Sequence, residues 1–230
     1  MIRQLTLLPL LVFSCALSAE EYPPTDRWDY AMIGFKLEDE INPKPKGGIV
    51  MTGSSSMRFW DHRIHEDLKP LSIVSKGFGG SNMNDVLTYL DLLVLSHDPR
   101  AVVIYEGDND VAQGVPVPNI VDTYQKTIAQ IHEHNKEIRI YLLSVKPSVL
   151  RENMWPTMQA VNKELQAIAA SDQRINYIDV ATPMLNPDGS ANESLLISDG
   201  LHMNQKGYDI WRDTVAPFLL EREAKYEFSQ

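Results

Sequence analysis

Cysteine is almost missing from this chain. Cys15 is the only one, and it falls inside an apolar N-terminal segment. The chain beyond that segment therefore has no thiol, which excludes a disulfide framework, a thiolate nucleophile and a cysteine-ligated metal. Stability must come from an apolar core, which 230 residues at 43% hydrophobic content can supply. Basic residues are also scarce: 21 Lys and Arg stand against 31 Asp and Glu, a net charge of −10. That balance argues against a nucleic-acid or anionic-membrane surface. The longest apolar stretch, Leu5 to Leu17, is too short for a good membrane span. There is no internal repeat, low-complexity tract or sign of a second large domain. The paired histidines, His62 with His65 and His132 with His134, lack the Asp, Glu or Cys partners that would complete a metal site, so no metal is expected.

The N-terminus has the layout of a secretory signal: Arg3, an apolar run, then small residues. Ala16-Leu17-Ser18 fits a cleavage site before Ala19, with cleavage after Ala19 as the alternative. Residues 1–19 are expected to be a signal peptide, giving a secreted or periplasmic protein; lipidation at Cys15 is a minor alternative. Residues 20–47 are read as an N-terminal extension carrying a helix around Asp26 to Asp39, ended by Asn42-Pro43-Lys44-Pro45-Lys46-Gly47-Gly48. Residues 48–230 form the main domain. Five apolar segments read as strands: Gly48 to Thr52, Leu71 to Ser75, Ala101 to Glu106, Ile138 to Val145 and Ile175 to Val180. Helical segments alternate with them at Asp85–Ser96, Ile120–His134, Met154–Ala170 and Gln205–Leu219. Strands apolar nearly throughout point to a parallel sheet buried on both faces. The pattern predicts a three-layer α/β/α sandwich around five parallel strands.

Ligands of open parallel sheets bind beyond the carboxyl ends of the strands, and the chain's short motifs fall there. Gly53-Ser54-Ser55-Ser56 follows the first strand and Gly77-Phe78-Gly79-Gly80-Ser81 the second. Gly107-Asp108-Asn109-Asp110 follows the third, and Asp199-Gly200-Leu201-His202 lies in the long loop after the fifth. Each has a plain structural reading. A Ser-rich turn commonly caps a helix, a Gly-rich run commonly just turns, and Asn in such a run is usually a turn residue. Together they suggest more. A serine hydroxyl needs a base to become a nucleophile, and a histidine three residues after an aspartate can be that base. A glycine amide and the Asn109 side chain can donate to an oxyanion. Spacing alone does not choose among Ser54, Ser55 and Ser56. Asp108 and Asp110 read as turn and capping residues. Trp60, Tyr105, Met154 and Trp155 are expected in the core rather than in a pocket. Lys146 follows the fourth strand and is expected at the surface, with a position overlooking the site as the alternative. Asn192-Glu193-Ser194 matches a glycosylation pattern that is common by chance.

Over about residues 48 to 219 the chain resembles the SGNH hydrolases, also called GDSL-type esterases and lipases, in a bacterial branch related to the platelet-activating-factor acetylhydrolase type. The resemblance puts Gly53-Ser54-Ser55-Ser56 in register with the family's first block and so implies Ser55 as nucleophile. It implies Gly80 and Asn109 as oxyanion donors beside the Ser55 amide, and Asp199 and His202 as the remaining triad members. It also implies a flavodoxin-like fold, ester hydrolysis and no cofactor. Ser54 departs from the family's usual aspartate, which is not a triad member, so activity is expected to survive. The substrate is expected to be a small-molecule, glycan or lipid ester. A carbohydrate O-deacetylase and, less favoured, a non-catalytic binding protein are the alternatives. No coiled-coil pattern points to a partner chain.

Overall fold

The computed structural model describes residues 22–229. The expected signal peptide and Cys15 lie outside the described residues. Five strands, β1 (Ile49–Gly53), β2 (Ile73–Gly77), β3 (Ala101–Tyr105), β4 (Arg139–Leu143) and β5 (Ile175–Ile178), form one sheet in the order β2-β1-β3-β4-β5. Every pairing is parallel. Among the described residues eight α-helices accompany them: α1 (Asp29–Ile41), α2 (Ser55–Asp67), α3 (Met83–Thr88), α4 (Leu90–Leu93), α5 (Asp108–Ala112), α6 (Val117–His134), α7 (Trp155–Ser171) and α8 (Gln205–Glu223).

Strand side chains alternate between faces, so each apolar strand feeds two cores. Val50, Val102, Ile104, Ile140 and Leu142 pack toward α3, α6 and α7, where Val86, Tyr124 and Leu165 meet them. Met51, Val103, Tyr105, Tyr141 and Leu143 face α2 and α8, against Trp60, Ile64, Trp211 and Val215. This is the α/β/α sandwich expected from the sequence, and Trp60 and Tyr105 lie fully buried in the second core.

Element ends shifted where local pattern and tertiary pairing disagree. The second strand starts two residues late because the Leu71 amide still closes a turn onto Leu68, and pairing with β1 begins only at Ile73. The helix expected over 85–96 is divided into α3, α4 and a short 3-10 turn. Asn82 caps α3 reciprocally with Asp85, which fixes its start at Met83, two residues early.

The N-terminal segment is fastened to the sandwich by side chains. Arg27 and the Trp28 indole N–H both bind the Asp85 carboxylate. Tyr89 donates to Asp29, Tyr22 to Asp110, and buried Lys76 reaches Asp39 at 2.7 Å. Among the described residues no helix is long and apolar enough to cross a membrane.

A buried carboxylate ties α8 to the sheet. Glu223 accepts from Arg139 Nε at 2.5 Å, Tyr141 at 2.6 Å and Arg100 at 3.2 Å. Burial alone would push this carboxyl up; the hydrogen bonds and charges of Arg139, Tyr141 and Arg100 outweigh it and hold it below its ordinary value. Glu223→Gln is expected to cost about 2–4 kcal/mol near neutral pH, because the arginines lose their counter-charge while keeping some access to water. A carboxyl depressed in the folded state stabilises above its unfolded value, about 4.3, and loses that contribution as the pH falls through the lower folded value. Urea denaturation should therefore show the gap between parent and variant shrinking below about pH 4.

Candidate active site

The site is built at the carboxyl ends of β1, β2 and β3. Gly53 closes β1 with φ +138°, and a Cβ there would lie 2.0 Å from the Tyr105 carbonyl oxygen. Only glycine fits, and the chain turns at once into α2. Ser54 is extended and caps the helix by position; its hydroxyl is buried without a hydrogen-bond partner. Ser55 opens α2, a helix of 13 residues, so its amide and hydroxyl sit at the positive end of the helix dipole.

His202 comes to Ser55 across 147 positions of sequence, with Nε2 2.9 Å from the Ser55 oxygen. Its Nδ1 lies 2.6 Å from Asp199 Oδ2. Asp199 Oδ1 accepts the amide N–H groups of Leu201 and His202, both at 2.9 Å. Desolvation pushes the Asp199 carboxyl up, but the hydrogen bonds from His202 and the two amides hold it at about 2. It is ionised throughout the neutral range. Phe59 packs edge-on against the His202 ring at 4.9 Å.

The second motif borders Ser55 through Gly79, where a Cβ would lie 3.7 Å from Ser55 Cβ, and the third is tied to the second through Asn109. Gly80 has φ +86°, and the Trp28 ring is 3.4 Å from where its Cβ would be. Asn109, at the start of α5, is buried. Its Nδ2 donates to the Ser81 carbonyl at 2.8 Å, and its Oδ1 accepts from Arg151 Nη2 at 2.9 Å. These two bonds fix which end of the amide faces where, leaving one N–H of Nδ2 for another acceptor. Asp110 caps the turn, accepting from the amides of Gly107 and Met83 at 3.0 Å; burial raises its carboxyl to about 6. Behind it, the Ser81 hydroxyl is 3.0 Å from the Phe78 carbonyl and 2.5 Å from Glu106 Oε1. Burial, with Asp110 nearby, pushes the Glu106 carboxyl well above its ordinary value.

Lys146 corrects the sequence expectation. It is buried, and its Nζ donates to the Leu201 carbonyl at 2.6 Å. The loop that ends in His202 folds over it, which no local pattern announces. Burial lowers its ammonium to about 8, against the attraction of Asp108. Arg151 carries no sequence signal: it lies in an irregular stretch with no periodicity or motif. The other histidines stay local. His62 contacts the Phe59 carbonyl and His132 the Ile138 carbonyl. Among the described residues no group of three His, Cys, Asp or Glu side chains could hold a metal. Asn192 turns its side chain onto the Ser194 amide.

A sheet-edge site of this shape, with a serine, histidine and aspartate in line, belongs to the α/β hydrolytic enzymes. Residues 45–210 match the model of the GDSL-like lipase/acylhydrolase family. The chain belongs to that family and is an ester-hydrolysing enzyme. An isoamyl acetate-hydrolyzing esterase of Saccharomyces cerevisiae is 23% identical over 171 residues, covering 65% of this chain and 69% of the yeast protein. Among solved structures, a GDSL-like lipase of Bacteroides thetaiotaomicron superposes with TM-score 0.73 at 20% identity, over 83% of this chain and 97% of that one. A catalytic mutant of an acetylxylan esterase of Geobacillus stearothermophilus superposes with TM-score 0.61 at 16% identity, over 77% and 94%. These two share the fold.

Proposed function

We propose that this chain is an exported serine esterase working through an acyl-serine intermediate. The observation that carries the reading is the unbroken line from Ser55 through His202 to Asp199. In this mechanism His202 takes the Ser55 proton as the oxygen attacks the acyl carbon. His202 then protonates the departing alcohol oxygen, and Asp199 stabilises the transient imidazolium. Negative charge on the carbonyl oxygen is met by the amides of Ser55 and Gly80 and by the free N–H of Asn109. A water deprotonated by His202 then attacks the acyl carbon and releases the acid, with Ser55 regaining its proton. Export rests on the signal-like N-terminus.

The acyl group is small. Arg151 and Asp108 fill the ground beside Asn109, with side-chain exposures of only 14% and 5%. An alkyl chain laid there would strip a charged pair of its polar contacts. The test is a nitrophenyl ester series from acetyl to long acyl chains, together with labelling by a fluorophosphonate. Turnover greatest for the shortest esters and a label on Ser55 are the expected results. A label on another residue would end the mechanism, and a long-chain optimum would end the small-acyl reading.

Asn109→Ala is expected to lower kcat by about 10²–10³ with the fold intact, the usual loss for one oxyanion donor. Full activity on every ester tested would remove Asn109 from the oxyanion site. A carbohydrate O-deacetylase is the more specific reading, and the cleft beside Ser55 favours it.

A further inference from the structure

A cleft of about 400 Å³ opens beside Ser55, between α1 and the loop after β2. It borders the serine through Gly79, where a Cβ would lie 3.7 Å from Ser55 Cβ and 3.2 Å from Arg58 Nη1. One wall is aromatic. Trp28 and Phe35 of the N-terminal segment close edge-to-face on Phe78, with ring centroids 5.6 and 6.4 Å away. That wall is pinned, because Trp28 and Arg27 share the Asp85 carboxylate and Lys76 grips Asp39 further along α1. The other side is charged: Glu38, Arg58 and Asp61 line it. All three are exposed, and the Arg58 guanidinium lies over the Phe59 ring rather than against a carboxylate. Gly34 also lines the cleft, and a Cβ there would have nothing within 4 Å, so the position has room for a larger side chain.

We propose that this cleft holds a neutral sugar ring that carries the scissile ester, so that the N-terminal segment forms part of the substrate site. The proposal rests on the serine-esterase reading of Ser55. The chemistry of the two walls selects the occupant. A long alkyl group in the cleft would dehydrate three charged side chains and return no hydrogen bond to them. A pyranose offers an apolar C–H face to Trp28 and Phe35, and hydroxyls that accept from Arg58 and donate to Glu38 and Asp61. Glu38 also pairs with Lys44 Nζ at 3.1 Å, which leaves Arg58 and Asp61, one charge of each sign, so the wall has no excess of positive charge to hold a uronic acid.

The test compares kcat/KM for acetylated xylooligosaccharides with kcat/KM for nitrophenyl acetate, in the parent, Gly34→Leu and Arg58→Ala. Gly34→Leu adds bulk at a position that lines the cleft without removing any contact, and leucine suits a helix better than glycine. Arg58→Ala removes a hydrogen-bond donor from an exposed position. The ratio of the two constants is expected to fall at least tenfold in both variants, through a raised KM for the sugar ester. An active parent whose ratio stays within twofold in both variants overturns the sugar site alone. A selective loss on long-acyl esters instead also overturns it, since the cleft would then hold an alkyl chain. A parent that turns over neither ester, or a Ser55→Ala protein as active as the parent, overturns the esterase reading and the sugar site with it.

Discussion

Ser55→Ala is expected to reduce turnover of nitrophenyl acetate by about 10⁴–10⁶-fold, the scale seen when a nucleophile is removed from a triad that acts as a unit. The substitution deletes one hydroxyl whose contact is with His202 Nε2. The helix cap is Ser54, not Ser55, and alanine is the best helix former. The variant should therefore unfold at nearly the parent temperature. His202→Ala should lose a comparable factor. The double variant should be little worse than either single one, because neither group does its part without the other. Steady-state rates for the three variants, with melting curves beside them, decide the matter. A Ser55→Ala protein retaining a tenth of the parent rate would place the nucleophile elsewhere.

Asp199→Asn should lower kcat by about 10³–10⁴-fold with little change in KM. The carboxylate receives three hydrogen bonds, from His202 Nδ1 and from the amides of Leu201 and His202. Asparagine can keep the two amide bonds through its oxygen. Its NH₂ then points at Nδ1, which must become an acceptor, and the ring proton moves to Nε2. An imidazole protonated at Nε2 cannot take the serine proton. Because Asp199 is held at about 2, it stays charged throughout the working range, and the variant's deficit should persist from about pH 5 to 9. A variant whose rate recovers at one end of that range would show that charge, not tautomer, is what Asp199 supplies.

Much of this molecule was legible in one dimension. β3 could be read from Ala101-Val102-Val103-Ile104-Tyr105 because every residue is buried, on one face or the other. The motif glycines were legible because a positive φ at Gly53, Gly80 and Gly107 leaves little choice of residue. Other features left no local trace. Lys146 has the composition of a surface position, and only the loop folded over it makes it buried. Arg151 gains meaning from Asn109, 42 positions away. Nothing about Trp28 in its own segment indicates that its ring will lie against Gly80.

The sequence by itself determined the alternation of strands and helices, the faces each strand would bury, and which four turns would end at the same edge of the sheet. Those are properties of each residue's own burial and backbone, and periodicity and glycine placement record them directly. Only the tertiary structure decided that Ser55, His202 and Asp199 align, that Arg151 orients the Asn109 amide, and that α1 and Trp28 wall a cleft beside the serine. Those contacts join segments far apart in the chain. They are set by strand order and loop packing, and no local pattern carries that information.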